Sequence, residues 1–348
     1  MQQSVGEAPM DMSVCVIIPY YNGSRYIERS ARSVLEQSIP PAEFIVVDDG
    51  SSPAEAQALD EIAARMGFRV LHKENGGQGA ARNFGVQQTR SNFISFLDQD
   101  DFYLKTHIEI LLDGVKRKDP YFGWVYADLV EADEEGLVVR RETVVHRSEH
   151  PKKFLNDMLG KDMYVLPSAS LIRREAYEAV GGFDPQFTGY EDDDLFLRIF
   201  QKGYTNYFVK KPVTVWCISD NSTSYSIKMS RSRLRYIHKL VQNFPDDPNK
   251  GRFFANDLFL PRFNRLVLGE AMRAIVPSGS PQDQKMVQYR DELIDIMNEY
   301  VKLMIANPFL SPRARKSLRL QAAVLNTRSR FIIRAAQFLK RRLKKSEE

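Results

Sequence analysis

Short, uninterrupted apolar runs that end in clustered carboxylates set the frame for this chain. Ile45-Val46-Val47 runs into Asp48-Asp49-Gly50-Ser51, and Phe93-Ile94-Ser95-Phe96-Leu97 runs into Asp98-Gln99-Asp100-Asp101. Such runs, without polar alternation, read as strands covered on both faces, as in a parallel sheet between helices. Each acid cluster then falls where a strand ends, and in an open α/β sheet that carboxyl edge is where ligands bind. Acids gathered on one edge repel one another unless a cation or a donor-rich ligand joins them. The pattern predicts a ligand site that holds a metal.

The intervening segments supply the helices. A first strand over 13–18 is stopped by Pro19, and Tyr20-Tyr21-Asn22-Gly23 has turn chemistry. Tyr26, Ile27, Ala31, Val34 and Leu35 recur at helical spacing over 24–37, and Ile39-Pro40-Pro41 ends that helix. Strand 44–47, a helix over 53–66 and a short strand over 68–72 complete a β-α-β-α-β start, a Rossmann-like half. Asn75-Gly76-Gly77-Gln78-Gly79 then leads into another helix. This glycine loop lacks the dinucleotide order G-x-G-x-x-G, and no Gly-Lys-Ser/Thr phosphate loop occurs. Further on, the pattern predicts a hairpin within 123–145 around Asp133–Gly136, and helices at 151–159 and 173–180. A helix opening at Glu191 is closed by Gly203, and a strand follows near 206–216. From about Met229 the pattern is mostly helical. A boundary near 228 therefore divides an α/β domain, 1–228, from a helical extension, 229–348.

The composition fits a globular chain of 348 residues, 43% hydrophobic and 27% charged. Cys15 and Cys217 offer neither zinc spacing nor a disulfide framework, so a reducing cytoplasm is expected. Residues 1–12 carry no signal-peptide pattern, and no apolar run approaches the roughly 18 residues that span a bilayer. The net charge of +4 hides an asymmetry. Thirteen Lys or Arg lie between Lys302 and Lys345 with no acid between Glu299 and Glu347, so the tail carries +11 and residues 1–299 carry −7.

Asp98 and Asp100, one residue apart at a strand end, can both reach one hard cation, Mg²⁺ or Mn²⁺. Asp101 is placed to cap the following helix. Asp48-Asp49-Gly50-Ser51 alone is an ordinary turn. Glu191-Asp192-Asp193-Asp194 opens a helix, where acids favour the macrodipole. Four exceed what capping needs, so one carboxylate is free to serve as a general base. Gly181-Gly182 upstream fits a tight loop that lets backbone approach a ligand closely.

Together, Val16–Asn22, Val46–Ser51, Asn75–Gly85, Leu97–Asp101, Gly181–Asp184 and Glu191–Arg198 resemble, in order and spacing, the family 2 inverting glycosyltransferases of the GT-A fold. Each motif is weak alone, and six in sequence are specific. The resemblance covers about residues 13–225. It implies a mixed, mostly parallel Rossmann-like sheet flanked by helices, with the C-terminal helices beyond it. It implies that Pro19 and Tyr21 line the nucleotide base, with Tyr21 stacking on it and Asp49 accepting its imide N–H. Asn75, Gly76 and Arg82 would line the nucleotide pocket, a structural salt bridge explaining Arg82 equally well. Asp98 would sit near the ribose and metal, with Asp100 ligating the metal directly. Gly182 would border the donor sugar, and Asp192 would be the catalytic base. One departure stands out: where many relatives carry a histidine ligand, this chain has Cys217-Ile218-Ser219-Asp220. Ser219 takes the histidine's place, and either Asp220 substitutes as a third metal ligand or water fills the gap.

The implied reaction moves a sugar from a nucleoside diphosphate sugar, a UDP-sugar by the family's habit, to a hydroxyl of a glycan or lipid-linked saccharide during cell-surface polysaccharide synthesis. The alternatives are a metal-dependent nucleotidyltransferase and a non-catalytic nucleotide-sugar-binding relative. The former would carry a basic glycine-rich loop after the first strand, where Tyr20-Tyr21-Asn22-Gly23 stands. The tail offers a further partner. Phe331, Ile332, Ala335, Ala336, Phe338, Leu339 and Leu343 form an apolar stripe among Arg and Lys, so 327–345 reads as a basic amphipathic helix. It either lies on an anionic membrane, the inner face of the plasma membrane, or packs on protein. Charge alone would also permit nucleic acid, but no motif supports it, and none is expected.

Overall fold

The computed structural model describes residues 11–218 and 226–345, with side chains through 339. It divides into two units. The first comprises Met1–Lys153, Met163–Gln186 and Glu191–Ser219; the second comprises Phe154–Asp162, Phe187–Tyr190 and Asp220–Glu348. Two short stretches that the sequence pattern assigns to the α/β domain thus cluster with the helices.

The first unit is built on nine strands among the described residues. These are β1 (Val14–Tyr20), β2 (Glu43–Asp49), β3 (Arg69–Lys73), β4 (Phe93–Phe96), β5 (Phe102–Tyr103), β6 (Phe122–Ala132), β7 (Val138–Arg140), β8 (Ser170–Arg173) and β9 (Thr205–Cys217). The sheet order is β3-β2-β1-β4-β8-β6-β9-β5, with β7 paired to β6. β3, β2, β1 and β4 run parallel, so their carboxyl ends share one edge. β8 is antiparallel to β4 and β6, whereas β6 and β9 are parallel.

All seven residues of β1 are buried, as are Ile45–Asp49 of β2, which is why these runs show no polar alternation. β1 continues past Pro19 to Tyr20. Parallel pairing to Val47 accommodates the proline, and the strand does not stop there as expected. The helices of this unit are α1 (Ser24–Leu35), α2 (Pro53–Met66), α3 (Gln78–Gln87), α4 (His107–Gly114), α6 (Arg174–Glu178) and α7 (Glu191–Gln201), with α5 (Leu155–Leu159) in the second unit. α2 starts with proline in its first turn and ends at Gly67 in the left-handed region, φ 80°. α3 passes so close to the sheet that a Cβ on Gly85 would stand 2.7 Å from Ile17. The core between sheet and helices includes Val16, Ile18, Ile27, Val34, Val46, Leu59, Leu97, Leu111 and Val125.

The second unit adds α8 (Ile227–Asn243), α9 (Leu260–Ile275), α10 (Pro281–Val287), α11 (Arg290–Ala306), α12 (Pro312–Asn326) and α13 (Arg330–Lys345). Its core holds Tyr236, Phe263, Met297, Tyr300 and Leu318. The Arg262 guanidinium is buried among them and donates to the Met158 and Leu159 carbonyls at 3.2 Å. Among the described residues, no helix is long and apolar enough to cross a membrane.

Candidate functional site

The parallel edge brings the acid clusters of the first unit together. Register sets Tyr20 beside Asp48, and Asp49 beside Lys73. Asp49 is buried with its carboxylate filled from within the protein. Its Oδ1 accepts from Lys73 Nζ at 2.6 Å and from the Gly76 amide at 2.9 Å, and its Oδ2 accepts from the Gly77 amide at 2.7 Å. Asn75 Nδ2 adds a bond to the Asp49 carbonyl at 2.8 Å. Asp49 therefore shapes the glycine loop. Asp48 accepts from the Ser51 amide at 3.0 Å and lies 2.8 Å from His72 Nδ1, a contact that raises the imidazole pKa.

The turn after β1 is held from across the edge. Gln99 Oε1 accepts from the Tyr21 amide at 2.8 Å, and Gln99 Nε2 donates to the Tyr21 carbonyl at 3.2 Å. A Cβ on Gly23 would meet the Gln99 amide at 2.5 Å, so glycine is needed for this contact. The Tyr21 side chain remains 51% exposed, available to a planar ligand.

Asp98 and Asp100 follow β4 in a turn closed by the Asp101 amide bonding to the Asp98 carbonyl at 3.1 Å. Asp98 Oδ1 accepts from Gln78 Nε2 at 2.7 Å and from an Arg82 guanidinium nitrogen at 2.6 Å. Burial, with the Asp98 charge adding to it, pushes the Asp100 carboxyl up to about 6. Asp101 does not cap a helix. The chain enters β5 and the next helix starts at His107, while Asp101 Oδ1 accepts from the Cys217 amide at 2.8 Å and ties the acid turn to β9. Burial raises the Asp101 carboxyl as well.

Arg82 is the link between acid clusters. Its side chain is 3% exposed, one nitrogen bonding Asp98 and another lying 3.5 Å from Glu191 Oε1. The guanidinium carbon stands 5.0 Å from the Phe183 ring centroid and 5.8 Å from that of Phe96. The structural salt bridge anticipated for Arg82 is present. Its Nε and a second nitrogen make no hydrogen bond among the described residues.

Glu191 and Asp192 begin α7. Burial, reinforced by the Glu191 charge, pushes the Asp192 carboxyl up to about 7. Glu191 is raised too, by burial. Asp194 braces the loop upstream of the helix. It pairs with Arg198 at 2.8 Å, and Arg198 donates to the Val180 and Gly182 carbonyls at 2.7 and 2.8 Å. Gly181 and Gly182 sit at φ 75° and 72°. Asn83 completes this clamp, accepting from the Phe183 amide at 2.9 Å and donating to the Phe183 carbonyl at 2.8 Å. The sequence pattern does not single out Asn83, Gln99, Gln78 or Arg198. Only the glycines they press against, Gly23 and Gly182, signal such close approach.

Asp98 and Asp100 present carboxylate oxygens, the donor type that a hard cation takes. Asp98 receives both its bonds on Oδ1, and burial together with the Asp98 charge disfavours the ionised form of Asp100, a penalty that a cation beside it would relieve. No group of three or more His, Cys, Asp or Glu gathers to hold a metal among the described residues. Ser219 and Asp220 lie outside them.

Residues 15–181 match the model described as glycosyl transferase family 2, and residues 167–218 match that of the N-terminal domain of galactosyltransferase. Residues 15–181, within the α/β unit, thus form a family 2 glycosyltransferase domain. The relatives give this domain context without fixing a substrate. The chain spans about 30% of the length of rickettsial glycosyltransferases it matches at 28–31% identity. It is 26% identical to the putative teichuronic acid biosynthesis glycosyltransferase TuaG of Bacillus subtilis, over 66% of this chain and 88% of that one. Among solved structures, S. aureus TarS 1–349 in complex with UDP aligns with TM-score 0.58 at 15% identity, covering 93% of this chain and 91% of that one. The mannosyltransferase PcManGT from Pyrobaculum calidifontis, in complex with GDP-Man and Mn²⁺, aligns with TM-score 0.54 at 19% identity, over 90% and 86%. The fold is the GT-A arrangement that the sequence motifs implied.

Proposed function

We propose that this chain is a metal-dependent, inverting glycosyltransferase that moves a sugar from a UDP-sugar to a hydroxyl of a glycan or lipid-linked saccharide. The reading rests on one observation above all. Buried Arg82 joins Asp98 of the acid turn to Glu191, the neighbour of an Asp192 carboxyl poised near neutrality. The TarS complex with UDP and the TuaG similarity support a nucleotide-sugar donor and a role in cell-surface polysaccharide synthesis.

In this mechanism Tyr21 stacks on the base, and the Asp49-held loop of Asn75 and Gly76 walls the nucleotide beside Pro19. Gly182 borders the donor sugar. Asp98 and Asp100 would hold Mn²⁺ or Mg²⁺, which when bound supplies Lewis-acid charge for the departing nucleoside diphosphate. Asp192 removes the acceptor hydroxyl's proton, and the oxygen attacks the anomeric carbon from the face opposite the leaving group. A carboxyl with a pKa near 7 is better suited to that transfer than an ordinary aspartate, because the proton's affinity for the base approaches the working pH.

The test combines a thermal-shift screen of UDP-, GDP- and dTDP-sugars, with and without Mn²⁺, with transfer assays of Asp192→Asn. A cognate donor raises the melting temperature by mass action, and more so with the cation. Asp192→Asn keeps that shift and loses transfer. Near-normal turnover by the variant overturns the assignment of the base.

A further inference from the structure

The C-terminal helix α13 turns apolar residues away from the protein. Ile333 is 1% exposed and Gln337 donates to Met272 Sδ at 2.8 Å, so these two residues mark the packed side. Arg330 Nε anchors the start of the helix on the Ile275 carbonyl at 3.0 Å. Phe331 is 82% exposed, Leu339 60% and Ile332 42%. At about 100° of rotation per residue these three fall within an arc of roughly 100°, centred roughly 150° from Ile333. An amphipathic helix that served only to pack on its own unit would bury that arc. On neighbouring α12, Leu320 is also exposed, at 64%.

Charge selects the occupant. No acid lies between Glu299 and Glu347, and Lys or Arg occupies positions 328, 330, 334, 340, 341, 342, 344 and 345 of this segment. Two copies meeting face to face through this helix would oppose +11 tails. A surface of anionic headgroups complements them, and the stems of Arg and Lys can lie along the acyl boundary while their charges stay in the headgroup layer. We propose that α13 is a docking element for an anionic lipid bilayer, with Phe331, Ile332 and Leu339 entering the headgroup–acyl boundary. This holds whether or not the sugar-transfer assignment is correct.

The experiment is flotation of the full chain with vesicles of phosphatidylcholine alone and with about 30 mol% phosphatidylglycerol. At about 0.1 M salt the anionic vesicles capture at least roughly tenfold more protein, and the advantage shrinks at about 0.5 M as the charges are screened. Phe331→Ser with Leu339→Ser lowers anionic capture roughly tenfold while leaving the melting temperature unchanged, since both residues are exposed. Lys344→Gln with Lys345→Gln lowers it roughly fivefold or more. Equal capture by both vesicle types, no capture, or an unaffected serine variant overturns the proposal. So does a wild-type dimer that the serine variant converts to a monomer, which would mean that a second copy covers the face.

Discussion

Arg82 and Asp98 meet at 2.6 Å, a guanidinium nitrogen that is almost wholly buried against a carboxylate whose side chain stands 35% exposed. The same guanidinium faces Glu191 at 3.5 Å, so one residue of α3 compensates the acid turn after β4 and the first turn of α7 together. Without this cation three carboxylates would confront one another across the edge of the sheet, because Asp192 also contributes to holding the Arg82 proton.

Arg82→Leu should therefore cost about 3 kcal/mol of stability, the low end for breaking a buried pair because Asp98 keeps some solvent. Urea denaturation measures it. Arg82→Lys should recover only part, since a single ammonium cannot bridge two carboxylates as the guanidinium does. Indistinguishable denaturation midpoints for the wild type and Arg82→Leu would show that the acids are compensated elsewhere.

The raised Asp192 carboxyl has two signatures. As the proposed base it would work only when ionised, so kcat/KM should climb with pH through about 7 and level off above it. The stability effect runs the other way. A carboxyl whose folded pKa exceeds its unfolded value stabilises the fold only while protonated, and that contribution is lost as pH rises toward 7. Asp192→Asn should accordingly raise the melting temperature more at pH 8 than at pH 5. A pH-independent difference would mean that no buried charge develops at this position.

Legibility in the sequence follows the range of the interactions. The sequence predicts α2 over Pro53–Met66 and it is found there, because its proline start and its Gly67 stop are local signals. β1, β2 and β4 are legible from runs buried on both faces. The hairpin around Asp133–Gly136 exists, yet only Glu131 and Ala132 of β6 pair with β7; Trp124–Tyr126 pair with β8 and β9. β8 and β5 are four and two residues long and are strands only by virtue of distant partners, so no local pattern announces them. The acid motifs likewise mark the edge of the sheet without saying which acids are already engaged. Asp49, Asp101 and Asp194 spend their carboxylates on Lys73 and the glycine loop, on Cys217 and on Arg198. Those partners lie 4 to 116 residues away, and only folding makes the engagement visible.

Gly182 carries a prediction about the loop proposed to border the donor sugar. Its φ is +72°, and an added Cβ would fall 2.4 Å from Asn83 Oδ1 and 2.8 Å from the Tyr177 ring. Gly182→Ala combines a left-handed backbone penalty with overpacking and should cost roughly 3 kcal/mol. Equilibrium denaturation reads the loss, and the donor KM should rise with it as the clamp of Asn83 and Arg198 opens.

Gln99 offers a separation of binding from chemistry. Its amide forms a two-bond bracket with the Tyr21 backbone, at 2.8 and 3.2 Å, and touches none of the acids proposed for catalysis in these bonds. Gln99→Ala removes the bracket where the Tyr21 backbone can turn to water, so the stability loss should be about 1 kcal/mol. The Tyr21 ring, held at the edge by that bracket and half-exposed, would lose its fixed position. If the ring stacks on the base, donor KM should rise roughly fivefold to tenfold, the worth of one stacking contact, while kcat changes little. Steady-state kinetics with saturating acceptor decides it: a variant that loses kcat at unchanged donor KM would place Gln99 with the reacting groups and remove Tyr21 from the donor site.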